Sequence, residues 1–266
     1  MSNSGDKRAP EVDKLSRLTA LQQQVHGVVL RQSCTQGGQC AGLDTLAGAA
    51  AASPGLHEIR PESYRDGPAA MGFLCALAAM AARGRVGATI WIAQARGGLD
   101  FGRPYGPGLS RIGIDPRRVL LIDAPDDVSA LWAAEEAAKA GGAAAILGQV
   151  LGPIDLTAAR RVHLAAAQRG VFAGLARPHQ VPGLGPALTR WIASGASGAG
   201  RALSQWTVPR WRVGLDRRRD GPPVPAEILE WDHAAHRVRL GSVLGVQTSD
   251  VRKQTSDGRG ALRRAG

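Results

Sequence analysis

The chain has 266 residues, a mass of 27.7 kDa and a formal net charge of +11, with 33 Lys and Arg against 22 Asp and Glu. This length fits one α/β domain with appendages, and a chain with 44% hydrophobic residues can bury a core without disulfide bonds. No apolar run approaches the roughly 18–20 residues of a membrane span, and the first ten residues lack the apolar part of a signal peptide. The three cysteines have no CxxC spacing, which excludes a disulfide scaffold and a Cys-rich zinc site. We therefore expect a cytoplasmic protein without membrane contact.

The positive charge is concentrated towards the C-terminus. Residues 1–54 have a net charge of +1, residues 55–200 of +4 and residues 201–266 of +6. Arginine supplies 29 of the 33 basic residues beside 35 glycines, so a GC-rich coding bias explains part of the surplus. A uniform bias does not explain the skew, and the region after residue 200 is therefore a candidate binding surface for an acidic protein, nucleic acid or anionic lipid.

The first 54 residues are predicted to contain two helices and a linker. Leu15, Leu18 and Leu21 recur at three-residue spacing, which predicts a short amphipathic helix over residues 13–26. Small and polar residues from 32 to 42 predict a flexible linker. A second helix is predicted over residues 43–52, where Ser53-Pro54-Gly55 ends it.

Strand and helix patterns alternate from residue 55 onward. Strands are predicted at 56–59, 86–93, 119–122, 143–147 and 171–175, and helices at 69–83, 109–112, 127–140 and 155–168. Strands that alternate with helices of ten to fifteen residues indicate βαβ units. We therefore predict an α/β core over residues 55–180, with a mainly parallel sheet flanked by helices.

Past Arg177 the pattern changes to short β-like segments, at 188–193, 205–215, 226–231 and 236–240. Charged and apolar residues alternate from Arg210 to Leu215, which predicts an antiparallel strand with one solvated face. Residues 181–244 are therefore predicted to form the β-rich C-terminal part of the core. The polar and basic residues 245–266 are predicted to be a disordered tail.

The loop between the first strand and the long helix stands where many α/β proteins bind a phosphate. A P-loop needs Gly, four residues and then Gly-Lys-Ser/Thr, and here those positions hold Glu62, Gly67, Pro68 and Ala69. Pro68 has neither an ammonium group nor an N–H, Ala69 has no hydroxyl for Mg²⁺, and Glu62 adds negative charge. The segment is either a degenerate phosphate loop or an ordinary strand–helix turn, and both readings predict that a nucleotide does not bind here in the usual way.

Several segments follow one another in a fixed order between about residues 55 and 240: LHEIRPES, VGATIWIA, YGPGL, GIDPRRVLLI, SALWAAEEAAKAGGAAAILGQV, DLTAARRVHLAAAQRG, PRWRVGLDRRRDGPP and LEWDHAAHRVRL. In this order they resemble the bacterial ImuA family, the RecA-like members of the ImuA–ImuB mutagenesis cassette. The resemblance implies a RecA-like fold and a role in SOS-linked translesion DNA synthesis. It also implies three partners: an ImuB-type polymerase homologue without catalytic residues, an error-prone paralogue of the polymerase III α-subunit, and RecA. Contact with DNA, association with the nucleoid and self-association are left open.

Departures from RecA predict that the chain is not an ATPase. Gly148 and Gln149 stand at the end of the Walker B-like strand, where a carboxylate would hold Mg²⁺. At the strand end from Trp91 to Arg96 no acidic residue is placed to activate water. We therefore expect no catalytic residue, cofactor or metal, and an accessory protein that acts through protein contacts. The alternatives are a direct single-stranded DNA-binding module and a RecA-like ATPase with atypical nucleotide contacts.

The remaining candidate residues each have a structural and a functional interpretation. Trp191, Trp206, Trp211 and Trp231 are either platforms for stacked bases or core residues. Cys75 is expected in the core, Asp155 at a helix N-cap, and His233 and His236 in a turn rather than in a metal site. The candidate partner- or DNA-binding residues are Arg210, Arg212, Arg217, Arg218 and Arg219 on an exposed side, and Arg252, Lys253, Arg259, Arg263 and Arg264 in the tail.

Overall fold

The computed structural model describes residues 42–94, 102–183, 185–197 and 208–241. Its α-helices are α1 (Leu43–Ala52), α2 (Gly67–Ala82), α3 (Gly106–Ile112), α4 (Asp127–Ala140) and α5 (Leu156–Arg169). Its strands are β1 (Gly55–Pro61), β2 (Ala88–Gln94), β3 (Val119–Ala124), β4 (Ala143–Gln149), β5 (Phe172–Ala176), β6 (Thr189–Gly195), β7 (Arg210–Arg218), β8 (Val224–Asp232) and β9 (Arg237–Leu240). Two single-turn 3-10 helices lie at Tyr64–Asp66 and Pro116–Arg118.

Every helix and strand predicted from residue 43 onward has a counterpart, with boundaries that differ by a few residues. The predicted helix at 13–26, most of the linker at 32–42 and the tail at 245–266 lie outside the described residues. The division of the chain into four segments stays a prediction. One predicted boundary separates α1 from β1. In the structure, Leu43 and Leu46 of α1 are buried in the same hydrophobic core as α2, β8 and β9.

The strands form one sheet in the order β3-β2-β4-β5-β1-β6-β7-β8-β9. Neighbouring strands from β3 to β6 are parallel, and those from β6 to β9 are antiparallel. The predicted α/β class, with a mainly parallel sheet flanked by helices, is confirmed. The β-rich region at the C-terminus continues the same sheet, because β7, β8 and β9 extend it beyond β6.

Local sequence signals explain where the two helices on one face begin and end. The Asp126 carboxylate accepts a hydrogen bond from Ser129 N at the start of α4, and Asp155 accepts one from Thr157 N at the start of α5. Each helix ends at a glycine in the left-handed conformation, Gly141 or Gly170. The prediction that Asp155 is an N-cap is confirmed.

The sheet separates two hydrophobic cores. On one face α1 and α2 cover the sheet, and this core contains Phe73, Trp191 and Trp231. On the other face α4 and α5 cover the parallel strands only, from β3 to β1. Among the described residues, no helix packs extensively on that face of β6 to β9. None of the described helices has the length and apolar character needed to cross a membrane.

Candidate functional site

The β1–α2 loop (residues 62–66) is tied to the neighbouring strands by its own carboxylates. Glu62 accepts a hydrogen bond of 2.7 Å from the Ser194 hydroxyl on β6, and its two oxygens accept bonds of 3.0 and 3.1 Å from Arg212 Nη1 on β7. Asp66 accepts bonds from the Ser63 hydroxyl and amide and from the Gly195 amide. The Ser63 hydroxyl, aided by these amides, holds the pKa of Asp66 below its ordinary value.

The candidate phosphate-loop residues come together here, but each has a structural role. Gly67 is buried at the first position of α2, and Pro68 follows in the first turn, where its missing N–H costs no hydrogen bond. Ala69 packs beside Gly195, because a Cβ added to Gly195 would lie 3.9 Å from the Cβ of Ala69. This geometry favours the ordinary strand–helix turn over a degenerate phosphate loop.

The two residues at the degenerate Walker B position, Gly148 and Gln149, lie at the end of β4 and are buried. Gln149 is buried at the end of β4. Gly148 is packed so closely that an added Cβ would lie 2.7 Å from Leu175 Cδ2. Neither residue offers a carboxylate to a metal ion.

A carboxylate does contact the segment that follows β4: it belongs to Asp127, which the sequence did not lead us to single out. It lies in the first turn of α4, accepts hydrogen bonds of 2.8 and 2.7 Å from the amides of Leu151 and Gly152, and also accepts one from the Gln94 side chain. Asp127 thereby fixes the segment that follows β4 against β2. The Asp-Asp pair before a helix was the available signal, but only Asp126 acts as the N-cap.

A second feature that sequence reasoning missed is a cluster of charged residues under the segment that follows β5. Glu58 on β1 is fully buried, and its Oε2 lies 3.1 Å from Arg190 Nε on β6. Asp216 Oδ2 lies 3.3 Å from Arg60 Nη2 and 3.4 Å from Arg190 Nη1. Arg177 is also buried, and burial lowers the pKa of its guanidinium while Glu58 opposes that effect. We call these five residues the charged cluster, of which Glu58 and Arg177 are the buried members.

The arginines predicted on one exposed side of β7 divide between its two faces, and the prediction is wrong for Arg218. Leu215 points into the core, but a bulge makes Asp216 an extra residue, so that Arg217 pairs with Arg190 and Arg218 pairs with Thr189. The bulge thus reverses which face of the sheet each of the following side chains points to. Arg218 therefore points to the helix-covered side and is buried.

The prediction of exposure is also wrong for Arg210. Its Nε lies 3.4 Å from Glu230 Oε2 on β8, and its Nη1 donates to the Ser197 carbonyl at 3.0 Å. The segment that follows β6 thus covers it.

Three of the five arginines are exposed as predicted. Arg212 forms the ion pair with Glu62, while Arg217 donates to the Gly185 carbonyl and Arg219 to the Pro186 carbonyl. The tail candidates Arg252, Lys253, Arg259, Arg263 and Arg264 lie outside the described residues.

The comparison with known proteins decides the family. No family model matches the chain. Two relatives from Caulobacter vibrioides, one from strain NA1000/CB15N and one from strain CB 15, are each named Protein ImuA. Each is 30% identical over 210 residues, which span 71% of this chain and 81% of the relative.

The chain belongs to the ImuA family. This confirms the resemblance found in the sequence, and it supports the association with SOS mutagenesis that the resemblance implies. SulA from Pseudomonas aeruginosa, known from its crystal structure, aligns with 46% of this chain and 97% of its own, with 18% identity and a TM-score of 0.36. Such a partial similarity defines neither a common fold nor a function.

In this ImuA-family chain the described tryptophans near the C-terminus are core residues. Trp191, Trp211 and Trp231 are buried, and Phe73 contacts the first two edge-on or tilted. None of the three therefore presents a ring to a base, and Trp206 lies outside the described residues. Trp132 on α4 is instead 61% exposed, which sequence reasoning did not single out.

The predicted positions of Cys75 in the core and of His233 and His236 in a turn are confirmed in the same ImuA-family fold. Cys75 is buried on α2, and burial raises the pKa of its thiol to about 12. His233 and His236 lie in the turn between β8 and β9, where His233 Nδ1 bonds to the Arg111 carbonyl. In the part of the chain that the structure describes, no group of three His, Cys, Asp or Glu side chains is placed to hold a metal ion.

Proposed function

We propose that this ImuA-family protein is a non-catalytic accessory of DNA-damage-induced mutagenesis and translesion synthesis in the cytoplasm. It acts by contact with an ImuB-type polymerase homologue, with RecA, or with both, in an assembly that includes an error-prone polymerase III α-subunit paralogue. Membership of the ImuA family supports the association with DNA-damage-induced mutagenesis. The β1–α2 loop carries the proposal that the protein is non-catalytic, because its two carboxylates bind β6 and β7 where a phosphate would need cations.

Electrostatics at the start of α2 add to this argument. A triphosphate placed there would meet the negative charges of Glu62 and Asp66 at short range, and like charges repel. The Glu62 carboxylate already neutralises Arg212, whose Nη1 lies 3.0 Å from it. Binding a nucleotide in this place would require breaking these contacts first.

The proposed function is tested by co-purification. The tagged full-length chain is produced together with its ImuB-type partner and RecA, and the lysate is treated with nuclease before capture. We expect at least one of the two proteins to remain bound. Complete loss of both after nuclease treatment would contradict the proposal and favour a direct DNA-binding module. A chain that ends at Gly241 shows whether residues 242–266 contribute, since retained capture assigns the contact to residues 1–241.

Thermal unfolding tests the alternative of an ATPase with atypical nucleotide contacts. Millimolar ATP with Mg²⁺ is expected to leave the melting temperature unchanged. A ligand at 100 times its dissociation constant would add about 2.7 kcal/mol to the free energy of unfolding, which is a shift of several degrees for a domain of this size. A concentration-dependent rise in melting temperature would favour the ATPase and count against the loop argument.

A further inference from the structure

Helix α4 carries large apolar side chains that are left open to solvent. Trp132 is 61% exposed, and Val128, four residues before it, is 76% exposed. The other four tryptophans that the structure describes are all buried. Because residues four apart lie on one side of a helix, Val128 and Trp132 form one apolar surface, which we call the α4 strip. Tryptophan is enriched among the residues that dominate protein interfaces, so the α4 strip is a candidate contact site.

The charges next to the α4 strip cancel. Glu135 Oε1 lies 2.7 Å from Lys139 Nζ, and Glu135 Oε2 lies 3.1 Å from Arg161 Nε on α5. Glu136 Oε1 lies 2.9 Å from the same Lys139 nitrogen. Two carboxylates and two cations leave no net charge here, whereas binding of nucleic acid depends on cations that neutralise phosphates. The surroundings of Trp132 therefore favour a protein ligand over a stacked base.

This local balance bears on contact between two copies of the chain. Each copy has a formal net charge of +11, so two copies repel one another at long range. A contact at the α4 strip adds no repulsion of its own, because its neighbouring charges are already balanced within each copy. The surface is thus one at which two positively charged chains can meet.

The two ends of α4 carry opposite charges. The Ser129 amide donates to the carboxylate of Asp126 and holds its pKa below the ordinary value, so Asp126 is an anion at neutral pH. Lys139 is a cation in the last turn, and its two glutamate partners leave one of the three ammonium donors unused. Trp132 stands six residues after Asp126 and seven before Lys139, close to the middle of a helix about 20 Å long.

This order of charges is complementary to itself. In an antiparallel pair of α4 helices centred on Trp132, each Asp126 lies beside the Lys139 of the other copy, because both residues are almost equally far from the centre. The two helix dipoles then run in opposite directions, which is the favourable arrangement. The apolar side chains of the two strips meet at the centre.

We propose that the α4 strip is the contact surface for a second copy of this chain, in a symmetric dimer that packs two antiparallel α4 helices through Trp132. Such a contact uses the same surface on both copies, so it closes at two and does not extend into a filament. A helix of 14 residues covers less than the roughly 800 Å² per partner of a standard interface, so we expect a weak dimer. The dimer is independent of the proposed function, because it requires no other protein.

Sedimentation velocity of the full-length chain, from micromolar to nearly millimolar concentration, tests the dimer. We expect the wild-type chain to pass from monomer to dimer as its concentration rises. Trp132→Ala is expected to raise the dissociation constant of the dimer about tenfold or more, since truncating a central tryptophan has a large effect on an interface. The matched control Tyr105→Ala removes a ring that is 73% exposed at the start of α3, on the opposite face of the sheet, and is expected to leave the equilibrium unchanged.

Two charge variants test the antiparallel arrangement. Asp126→Ser keeps a good N-cap and Lys139→Gln keeps a good helix former, and each is expected to weaken the dimer a few-fold while the melting temperature changes little. The control Asp155→Ser makes the same change at the N-cap of α5 and is expected to dimerise like wild type.

Other outcomes would overturn the proposal. These are a wild-type chain that stays monomeric at every concentration, equal dimerisation of wild type and Trp132→Ala, and assembly that grows beyond two copies. Binding of a labelled oligo-dT that Trp132→Ala abolishes, without dimerisation, would assign the α4 strip to nucleic acid instead. The capture experiment reports on the proposed function separately: a monomeric chain that captures RecA or the ImuB-type protein refutes the dimer alone, and a dimer that captures neither refutes the proposed function alone.

Discussion

Replacing Glu58 by Ala is expected to lower the free energy of unfolding by about 3–5 kcal/mol, the usual cost of removing one member of a buried ion pair. Glu58 is fully buried on the central strand β1, and its carboxylate lies 3.1 Å from Arg190 Nε. Its charge also opposes the effect of burial on Arg177. The substitution therefore leaves two guanidinium groups in a poorly hydrated place with less compensation. Urea denaturation followed by circular dichroism measures the loss.

Glu62→Ala is the matched control for this measurement. Glu62 follows the same strand and also pairs with an arginine, but the two side chains are about half exposed. Exposed pairs contribute about 0–1 kcal/mol, so the control is expected to lose little stability. Comparable losses in the two variants would mean that the pairing of Glu58 in the charged cluster adds no more to stability than an ion pair at the surface.

Acidification from pH 6.5 to pH 4 is expected to destabilise the fold, with about 3 kcal/mol of the loss due to His57. Its ring is fully buried and stacked on Phe172, and burial lowers its pKa from 6.5 to about 4. Above pH 6.5 the ring is neutral in both folded and unfolded chains, so it adds no pH dependence there. Below pH 6.5 the unfolded chain takes up a proton that the folded chain refuses, and stability falls until about pH 4.

Burial is the main reason why the folded state refuses this proton, and the hydrogen bonds of the ring fix which neutral tautomer is present. Nε2 of His57 lies 2.8 Å from the Ser53 carbonyl oxygen, which can only accept, so Nε2 carries the hydrogen of the neutral ring. Nδ1 must therefore accept from the Thr189 hydroxyl. That hydroxyl in turn accepts from Trp191 Nε1 at 2.8 Å. A proton on Nδ1 would face the hydrogen of the Thr189 hydroxyl, which would have to turn away, while Trp191 Nε1 could only go on donating to the same oxygen.

The variant His57→Gln makes this prediction measurable. It is expected to be less stable than wild type at pH 7.5 but to lose less stability between pH 6.5 and pH 4.5, as determined by urea denaturation at each pH. The control His233→Gln, at the surface, is expected to keep the wild-type profile. An unchanged pH profile in His57→Gln would show that the acid sensitivity arises from other groups.

The sequence predicted the elements well because local signals define them. Asp126 and Gly141 bound α4 through interactions with residues next to them in the chain, and the alternation of strands and helices indicates a parallel sheet. The bulge at Asp216 was not predictable, because it depends on how β7 pairs with β6. One extra residue there reversed the faces of Arg217 and Arg218.

The candidate site was predicted only in part for the same reason. The missing lysine and hydroxyl at Pro68 and Ala69 are visible in the sequence. That Glu62 binds Arg212, 150 residues away, follows only once β1, β6 and β7 are neighbours.

The place of β1 in the sheet has a consequence for how the protein is made. β1 leaves the ribosome early, but its two partners are β5 and β6, which end only at Ala176 and Gly195. Until then the nascent chain carries a central strand whose first five residues are all buried in the finished fold. Pairing over such long separations in sequence is slow and leaves apolar segments open to aggregation. We therefore expect the nascent chain to depend on chaperones until synthesis has passed Gly195.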